Sequence, residues 1–130
     1  MAKVEYLDVD DDVRVFAVGD IHGEYSKLIN KLKEIGFDFK HDLLIAVGDI
    51  TDRGNENIEC VQLLDKPWFK SVMGNHEDFC IQGKDNYDIA FYHKMTNNGG
   101  AWFYELSEVE QNCVVEKFKQ LPILLELSYK

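Results

Sequence analysis

The chain has 130 residues, of which 45% are hydrophobic and 29% charged, and its net charge is −10. This length and composition predict one soluble globular domain over residues 1–130 and argue against a disordered chain. No apolar run approaches the ~20 residues needed to cross a bilayer, and the first residues lack the apolar core of a secretory signal. The acidic balance disfavours nucleic acid as a partner, because a polyanionic backbone would be repelled.

The three cysteines, Cys60, Cys80 and Cys113, stand far apart and show no paired ligand spacing. This pattern predicts reduced thiols in a cytoplasmic protein, with Cys60 and Cys113 packed on helix faces. The acidic cluster at Asp8 and residues 10–12 predicts a solvated turn before the first strand.

The first half of the chain alternates predicted strands and helices. Apolar runs predict strands over 13–18, 43–47 and 69–73, and helical spacing predicts helices over 25–36 and 55–64. Gly36 is expected to end the first helix. The order strand, helix, strand, helix, strand favours a parallel sheet with right-handed crossovers.

The second half of the chain is more helical in character. Residues 78–96 mix aromatic and polar side chains and are predicted to contain helix, and residues 97–100 form a loop signal. Ser107 and Glu110 have capping-box spacing, which predicts a helix running to about Gln120. A further strand is predicted over 123–127.

Three short polar segments follow directly after the three predicted strands of the first half. They read Gly19-Asp20-Ile21-His22-Gly23, Gly48-Asp49-Ile50-Thr51-Asp52-Arg53-Gly54 and Gly74-Asn75-His76-Glu77. A parallel sheet brings the carboxyl ends of its strands to one edge, and open α/β sheets build their sites there. We therefore expect one edge to gather two aspartates, a histidine, an asparagine and an arginine.

These residue types suit divalent metal ions that act on a phosphate. Carboxylate oxygens and imidazole nitrogens together favour Mn²⁺, Fe or Zn²⁺, whereas an all-oxygen site would indicate Mg²⁺ or Ca²⁺. Asp20 and His22 are two residues apart, so both can point the same way from an extended turn. Asp49 can bridge two ions, and Asn75 offers an amide oxygen to the second. Two ions ~3.5–4 Å apart can share a hydroxide and clamp in-line attack on phosphorus.

Three further residues suit the reaction itself. His76 is expected to be a general acid that protonates the departing oxygen, with Asp52 orienting its imidazole. Arg53 offers a planar fork for phosphate oxygens. Glu77 is left open as a helix cap. Surface or packing roles are expected for the two remaining histidines, at positions 41 and 93.

The three segments resemble the signature of the calcineurin-like metallophosphoesterases. Within that family the likeness is greatest to phage lambda-type and bacterial serine/threonine protein phosphatases. It extends along essentially the whole chain, through residues 35–38, 42–45, 57–60, 67–69 and 121–123. The resemblance implies an α/β fold in which a βαβαβ parallel sheet forms half of a four-layer α/β/β/α sandwich, incomplete at its C-terminus.

The resemblance also implies a function. It indicates hydrolysis of phosphomonoesters by direct attack of metal-bound hydroxide, with two divalent ions, manganese first among them, and phosphoprotein or small phosphoester substrates. By the same resemblance four residues are metal ligands and three act in catalysis. The ligands are Asp20, His22, Asp49 and Asn75, and the catalytic residues are His76, Asp52 and Arg53.

Two departures from the family pattern bear on this expectation. Met73 stands where the family usually has an arginine that contacts phosphate, and losing one charge-assisted hydrogen bond costs ~1.5–3 kcal/mol. The resemblance further implies that relatives continue beyond Lys130 with two more histidine ligands and another arginine. An unfinished sheet is expected to expose apolar surface and a strand edge, which favours self-association.

Three readings of function therefore stay open. The first is a serine/threonine protein phosphatase, with dual specificity included. The second is a symmetrical dinucleoside tetraphosphatase, which resembles these enzymes through the same motifs. The third is a catalytically inactive fragment that binds metal.

Overall fold

A computed structural model of the chain describes residues 3–129. Its strands are β1 (Val4–Val9), β2 (Val15–Val18), β3 (Leu43–Ala46), β4 (Phe69–Ser71) and β5 (Leu124–Tyr129). Its helices are α1 (Tyr25–Glu34), α2 (Asn57–Gln62), α3 (Asn75–Gly83), α4 (Tyr87–Lys94), α5 (Ala101–Tyr104) and α6 (Glu108–Lys119). A single 3-10 turn, Leu63–Asp65, follows α2.

Strands β2, β3 and β4 form a parallel sheet in that order, with β3 in the centre. The connections through α1 and α2 make the predicted βαβαβ unit, so the predicted fold class is confirmed. β3 is the best-buried strand, with Leu44 and Ala46 almost inaccessible to solvent. Side chains of α1, α2 and α6 complete one hydrophobic core around this sheet, and Phe118 of α6 is fully buried in it. The sheet therefore gives the loops at its carboxyl edge a rigid base.

A second parallel sheet contains β1 and β5, and β1 was not predicted from the sequence. The register pairs Val4 with Leu124 and Val9 with Tyr129. Because Glu5 and Asp8 interrupt its apolar residues, the apolar signal of β1 is weak. The expectation of a turn over the whole acidic cluster is wrong at Asp8, which lies in β1, whereas residues 11 and 12 do form a turn.

This two-stranded sheet leaves apolar side chains in contact with solvent, as expected for an unfinished sheet. Tyr6 is 72% exposed and Leu124 is 58% exposed. In the described part of the chain β5 pairs with β1 alone, so its other edge has no strand partner. Self-association through this face stays a prediction.

The helix boundaries follow the signals read from the sequence. The backbone of Gly36 has φ +76° and closes α1, with its N–H donating to the Lys33 carbonyl. Ser107 caps α6, and Ser107 and Glu110 form the reciprocal hydrogen bonds of the capping box. The region 78–96 divides into two helices, α3 and α4. Helix α5 was not predicted.

The cysteines are free, as predicted, but the packing prediction for one of them is wrong. Cys60 and Cys80 are buried, whereas Cys113 is exposed on α6. Burial raises the pKa of the Cys60 thiol to about 12.

Among residues 3–129 no helix is long and apolar enough to cross a membrane.

A bidentate ion pair joins the residue before β2 to the residue before β3. The Arg14 Nη2 and Nε atoms lie 2.6 and 3.0 Å from the two carboxylate oxygens of Asp42, whose side chain is 1% exposed. The backbone N–H of Asp38 also donates to this carboxylate, at 2.8 Å. The hydrogen bond from Arg14 is the main cause that lowers the pKa of Asp42.

Replacing Arg14 by glutamine is expected to lower the melting temperature at pH 7. Because the folded-state pKa of Asp42 lies below its unfolded value, the pair stabilises the fold at pH above about 4. That stabilisation is lost as pH falls through the lowered pKa, so the difference between wild type and R14Q should shrink in acid. Thermal melts of wild type and R14Q between pH 7 and pH 3 measure this difference in melting temperature. Lys31→Gln, which breaks an exposed pair with Glu34 on α1, is the matched control. A pH-independent difference for R14Q would contradict the assignment.

Candidate active site

The polar loops after β2, β3 and β4 meet at the carboxyl edge of the three-stranded sheet. Backbone hydrogen bonds join them: the Asp49 carbonyl accepts from the N–H groups of Ile21 and His22, at 3.2 and 3.1 Å. One nitrogen or oxygen atom from each of His22, Asp49 and His76 lies within 4.8 Å of the others. The three segments therefore converge as predicted.

The backbone at this edge adopts a conformation that side chains usually avoid. Among described residues other than glycine, positive φ angles occur at His22 (46°), Asp49 (54°), Asp52 (76°) and Arg53 (78°). All four are predicted site residues. Such conformations cost about 1–3 kcal/mol each and cluster where a site demands a particular side-chain direction. The rest of the fold therefore holds these residues in place.

His22 has one ring nitrogen fixed and one turned toward Asp20. Its Nδ1 lies 3.0 Å from the Thr51 carbonyl oxygen, so Nδ1–H donates there. Its Nε2 lies 3.5 Å from Asp20 Oδ2, and the Asp20 side chain is 57% exposed. A histidine that donates one N–H to a carbonyl and keeps the other nitrogen free has the arrangement usual for metal ligands.

Asp49 is tied to helix α3 by Glu77. The Glu77 carboxylate accepts from the backbone N–H groups of Asp49 (2.7 Å), Ile50 (3.0 Å) and Gly74 (2.9 Å). It therefore caps α3, the role left open in the sequence, and also joins two site loops. Burial raises the pKa of Glu77 to about 7, although the three backbone donors oppose this shift. The Asp49 carboxylate in turn accepts from the His76 N–H, at 3.0 Å.

His76 is paired with a fully buried aspartate. His76 Nδ1 lies 2.7 Å from Asp52 Oδ2, and both side chains are almost inaccessible. Because an ionised carboxylate can only accept, Nδ1 carries the hydrogen and Nε2 is the nitrogen left for the site. The predicted pairing of these two residues is present.

The remaining predicted residues lie on the rim of the site. Arg53 is exposed, and its Nε donates to the Asn97 carbonyl at 3.0 Å, which leaves its terminal nitrogens available. Asn75 is the first residue of α3 and is also exposed. Met73 is half-buried, and its N–H donates to the Pro122 carbonyl at 2.8 Å.

The structure also brings in residues that the sequence did not single out. His93 Nε2 lies 2.6 Å from Asp52 Oδ2, and the indole nitrogen of Trp102 lies 2.7 Å from Asp52 Oδ1. His93, assigned a surface or packing role from the sequence, is fully buried and bonded to a predicted catalytic residue. Only the loop signal at 97–100 hinted that the chain turns back to the site there.

A buried trio beside the site has the composition of a metal centre. Ligand atoms of Asp52, Cys80 and His93 lie within 4.8 Å of one another. Burial raises the pKa of the Cys80 thiol well above its ordinary value, so the thiolate that a metal needs is disfavoured. The Asp52 oxygens are already bonded to imidazole and indole hydrogens. We interpret Asp52 and His93 as members of a hydrogen-bond cluster, with the Cys80 thiol packed beside them.

Comparison with known proteins agrees with this geometry. The model of the calcineurin-like phosphoesterase family matches residues 13–127. The chain belongs to the calcineurin-like phosphoesterase family. The matched range contains β2 through α6 and all three site loops of this phosphoesterase domain.

Two curated relatives and one solved structure illustrate the likeness. Serine/threonine-protein phosphatase 2 of Salmonella typhimurium is 39% identical over 133 residues, which cover 98% of this chain and 60% of the relative. The symmetrical bis(5'-nucleosyl)-tetraphosphatase of Mannheimia succiniciproducens is 42% identical over 65 residues, 48% of this chain and 23% of the relative. This calcineurin-like chain thus spans about 60% of the length of the first relative.

The structural likeness concerns the fold. A serine/threonine phosphatase from Saccharomyces cerevisiae superposes with a TM-score of 0.63 at 20% identity, covering 94% of this chain and 38% of that one. The described residues therefore share the fold of that phosphatase, with parallel strands in two sheets.

Membership of a metallophosphoesterase family implies divalent metal ions, and the residues present fit them. His22 supplies an imidazole and Asp49 a carboxylate, with ligand atoms within 4.8 Å of each other, and the Nδ1 atom of His22 is anchored to the Thr51 carbonyl. Mixed nitrogen and oxygen donors suit borderline ions of the first transition row.

Proposed function

We propose that the chain is the catalytic portion of a metal-dependent phosphomonoesterase that acts on phosphoserine and phosphothreonine in proteins. The observation that carries this proposal is the buried His76–Asp52 pair, 2.7 Å apart, beside the cluster of His22 and Asp49. The 39% identity with a relative named serine/threonine-protein phosphatase 2, across nearly the whole chain, supports the substrate class.

Four residues would hold two divalent ions: Asp20, His22, Asp49 and Asn75. Such ions, when bound, supply Lewis acidity toward water and toward a phosphate oxygen. We propose manganese as the native metal, with iron or zinc as alternatives, because the donors include imidazole. Within the chain, Glu77 holds the Asp49 backbone and the start of α3 in register, so the ligand positions are fixed before metal arrives.

His76 would donate a proton to the departing oxygen of the substrate. Asp52 holds its Nδ1–H, so Nε2 is the only ring nitrogen that can carry the transferable proton. Positioned acid catalysis of this kind contributes about 10²–10⁴ to the rate. Pairing with a buried carboxylate fixes the ring orientation that the transfer requires.

Arg53 would bind the non-bridging oxygens of the phosphate. Its Nε is bonded to the Asn97 carbonyl, which orients the guanidinium while its terminal nitrogens stay available. A planar guanidinium can present two parallel N–H groups to an anion.

We place the enzyme in the cytoplasm, as the free cysteines suggest.

The second candidate is a dinucleoside tetraphosphatase. The symmetrical tetraphosphatase of Mannheimia succiniciproducens matches 48% of this chain at 42% identity, so it supports the shared phosphate chemistry more than the substrate. Hydrolysis of diadenosine tetraphosphate against a phosphoserine peptide separates the two candidates.

The central experiment measures manganese binding and turnover together. We expect about two Mn²⁺ ions per chain and manganese-dependent release of phosphate from a phosphoserine peptide, faster than from diadenosine tetraphosphate. Asp49→Asn should weaken manganese binding at least about 100-fold, because even residues that only support a ligand change affinity 10–100-fold. Calorimetry and phosphate release provide the two readouts.

Asp85→Asn is the matched control, since it removes the same charge from an exposed position between α3 and α4. Its metal affinity and turnover should equal those of the wild type. Metal binding without any turnover would favour the inactive metal-binding alternative. Equal manganese affinity of D49N and wild type would remove Asp49 from the site.

A further inference from the structure

The Asp52 carboxylate sits at the centre of a buried hydrogen-bond network of aromatic side chains. Its Oδ2 atom is 2.7 Å from His76 Nδ1 and 2.6 Å from His93 Nε2, and its Oδ1 atom is 2.7 Å from Trp102 Nε1. His93 Nδ1 is in turn 2.8 Å from the Tyr104 hydroxyl. Asp52 and His93 are both fully buried.

Hydrogen-bond counting assigns the direction of each bond. A carboxylate that meets three nitrogen donors must be the acceptor of all three, so His93 carries its hydrogen on Nε2. Nδ1 of a neutral His93 is then an acceptor, and the Tyr104 hydroxyl must donate to it. Burial raises the pKa of Tyr104, which keeps that hydroxyl protonated. The chain of bonds runs from Tyr104 through His93 to Asp52.

The His93 ring is also held mechanically. Phe79 lies against it with ring centroids 5.4 Å apart, and Tyr104 contacts it edge-on at 5.4 Å. The backbone of Gly100 lies against the Cδ2 and Nε2 edge of the His93 ring. A Cβ atom at position 100 would clash with those ring atoms. The Gly100 N–H donates to the His93 carbonyl, at 2.9 Å. His93 therefore has one ring orientation, the one that meets Asp52.

We propose that His93 is a positioning residue for the reaction: its Nε2–H shares the Asp52 oxygen that holds His76 and fixes the plane of that carboxylate. With Trp102 on the other oxygen, the carboxylate cannot rotate about its last bond. The His76 ring, which depends on Asp52 for its orientation, is thereby held with Nε2 toward the site. The kinetic consequence rests on the proposed phosphatase function; the structural one does not.

The direct test reads the tautomers of both histidines in the metal-free chain. Long-range nitrogen–proton correlation spectra of ¹⁵N-labelled protein should show His93 protonated on Nε2 alone and His76 protonated on Nδ1. In His93→Leu the Asp52 carboxylate loses a donor, so the His76 Nδ1–H should exchange with water at least about tenfold faster. His93→Gln places an amide nitrogen at the Nε2 position and should restore the slow exchange.

His93→Asn is the matched negative control, because its amide nitrogen reaches only the Nδ1 position, toward Tyr104. It should behave like H93L. A His93 that carries its hydrogen on Nδ1 and none on Nε2, or identical His76 exchange rates in wild type, H93L and H93Q, would overturn the proposal even if every variant folds. These readouts do not depend on catalytic activity.

A kinetic test follows the same logic. H93L should lower kcat about tenfold on a phosphoserine peptide while leaving KM unchanged, and H93Q should stay within about threefold of wild type. The loss should be smaller on p-nitrophenyl phosphate, whose phenolate leaves without protonation, because His93 acts only through the acid. Equal losses on both substrates would contradict this role. Absence of turnover in the wild type would reject the phosphatase function but leave the spectroscopic result standing.

Discussion

His76→Asn is expected to lower kcat about 10²–10⁴-fold on a phosphoserine peptide, the range typical for removal of a general acid. The variant keeps a polar side chain of similar reach, and its amide can still donate to the buried Asp52 oxygen that His76 Nδ1 contacts at 2.7 Å. It cannot deliver a proton from the Nε2 position. The measurement is steady-state phosphate release with manganese, comparing the peptide with p-nitrophenyl phosphate.

Comparing the phosphoserine peptide with p-nitrophenyl phosphate tests whether His76 acts as the acid. A serine alkoxide is a poor leaving group and needs the proton, whereas p-nitrophenolate does not, so the loss should be much smaller on the nitrophenyl ester. His41→Asn is the matched control, because His41 is exposed and its ring lies beside Asp12, ahead of β2, and not at the carboxyl edge of the sheet. Equal rates for H76N and wild type on the phosphopeptide would remove His76 from the mechanism.

Gly48→Ala is expected to destabilise the fold by about 2–5 kcal/mol, combining left-handed backbone strain with overpacking. Gly48 has φ +90°, and a Cβ there would lie 2.5 Å from the backbone nitrogen of Gly74 and 2.7 Å from its Cα. Those atoms begin helix α3 and cannot move without carrying Asn75 and His76 with them. The free energy of unfolding from urea titration gives the stability, and manganese titration should show weakened binding.

Two other glycines separate the cost of backbone strain from the cost of overpacking. Gly36 has φ +76° but open space where a Cβ would lie, so G36A should cost only the strain, about 1–2 kcal/mol. Gly19 has open space and no left-handed backbone, so G19A should be nearly neutral. If G48A costs no more than G36A, the close approach of the two loops contributes nothing to stability.

The sequence predicted the central sheet because its signals are local. The continuous apolar run at Leu43–Ala46 and the glycine that closes α1 each act through a few neighbouring residues. Strand β1 was not predicted because it is stabilised by pairing with β5, which is distant in the sequence. No local sequence pattern indicates such a long-range partner. Cys113 was misplaced because helical spacing does not reveal which faces of α6 other elements cover.

The residues of the candidate site also fall into two groups, those indicated by local sequence and those placed by tertiary packing. Asp20, His22, Asp49 and His76 could be predicted to lie near one another because each follows a strand, and parallel strands place their carboxyl ends together. His93 and Trp102 reach Asp52 from α4 and α5, and their approach depends on how those helices pack. Glu77 could be read as a cap from its spacing, but its bonds to Asp49 and Ile50 depend on tertiary contact.

The pairing of β1 with β5 has a consequence for how the chain is made. Val4 pairs in register with Leu124, so this contact closes a loop over residues 4–124. Closure of so long a loop is entropically costly and is deferred until local structure has shortened the effective distance. During synthesis β1 leaves the ribosome long before β5 and stays unpaired until β5 follows, so Val9, which is 5% exposed in the fold, is uncovered until then.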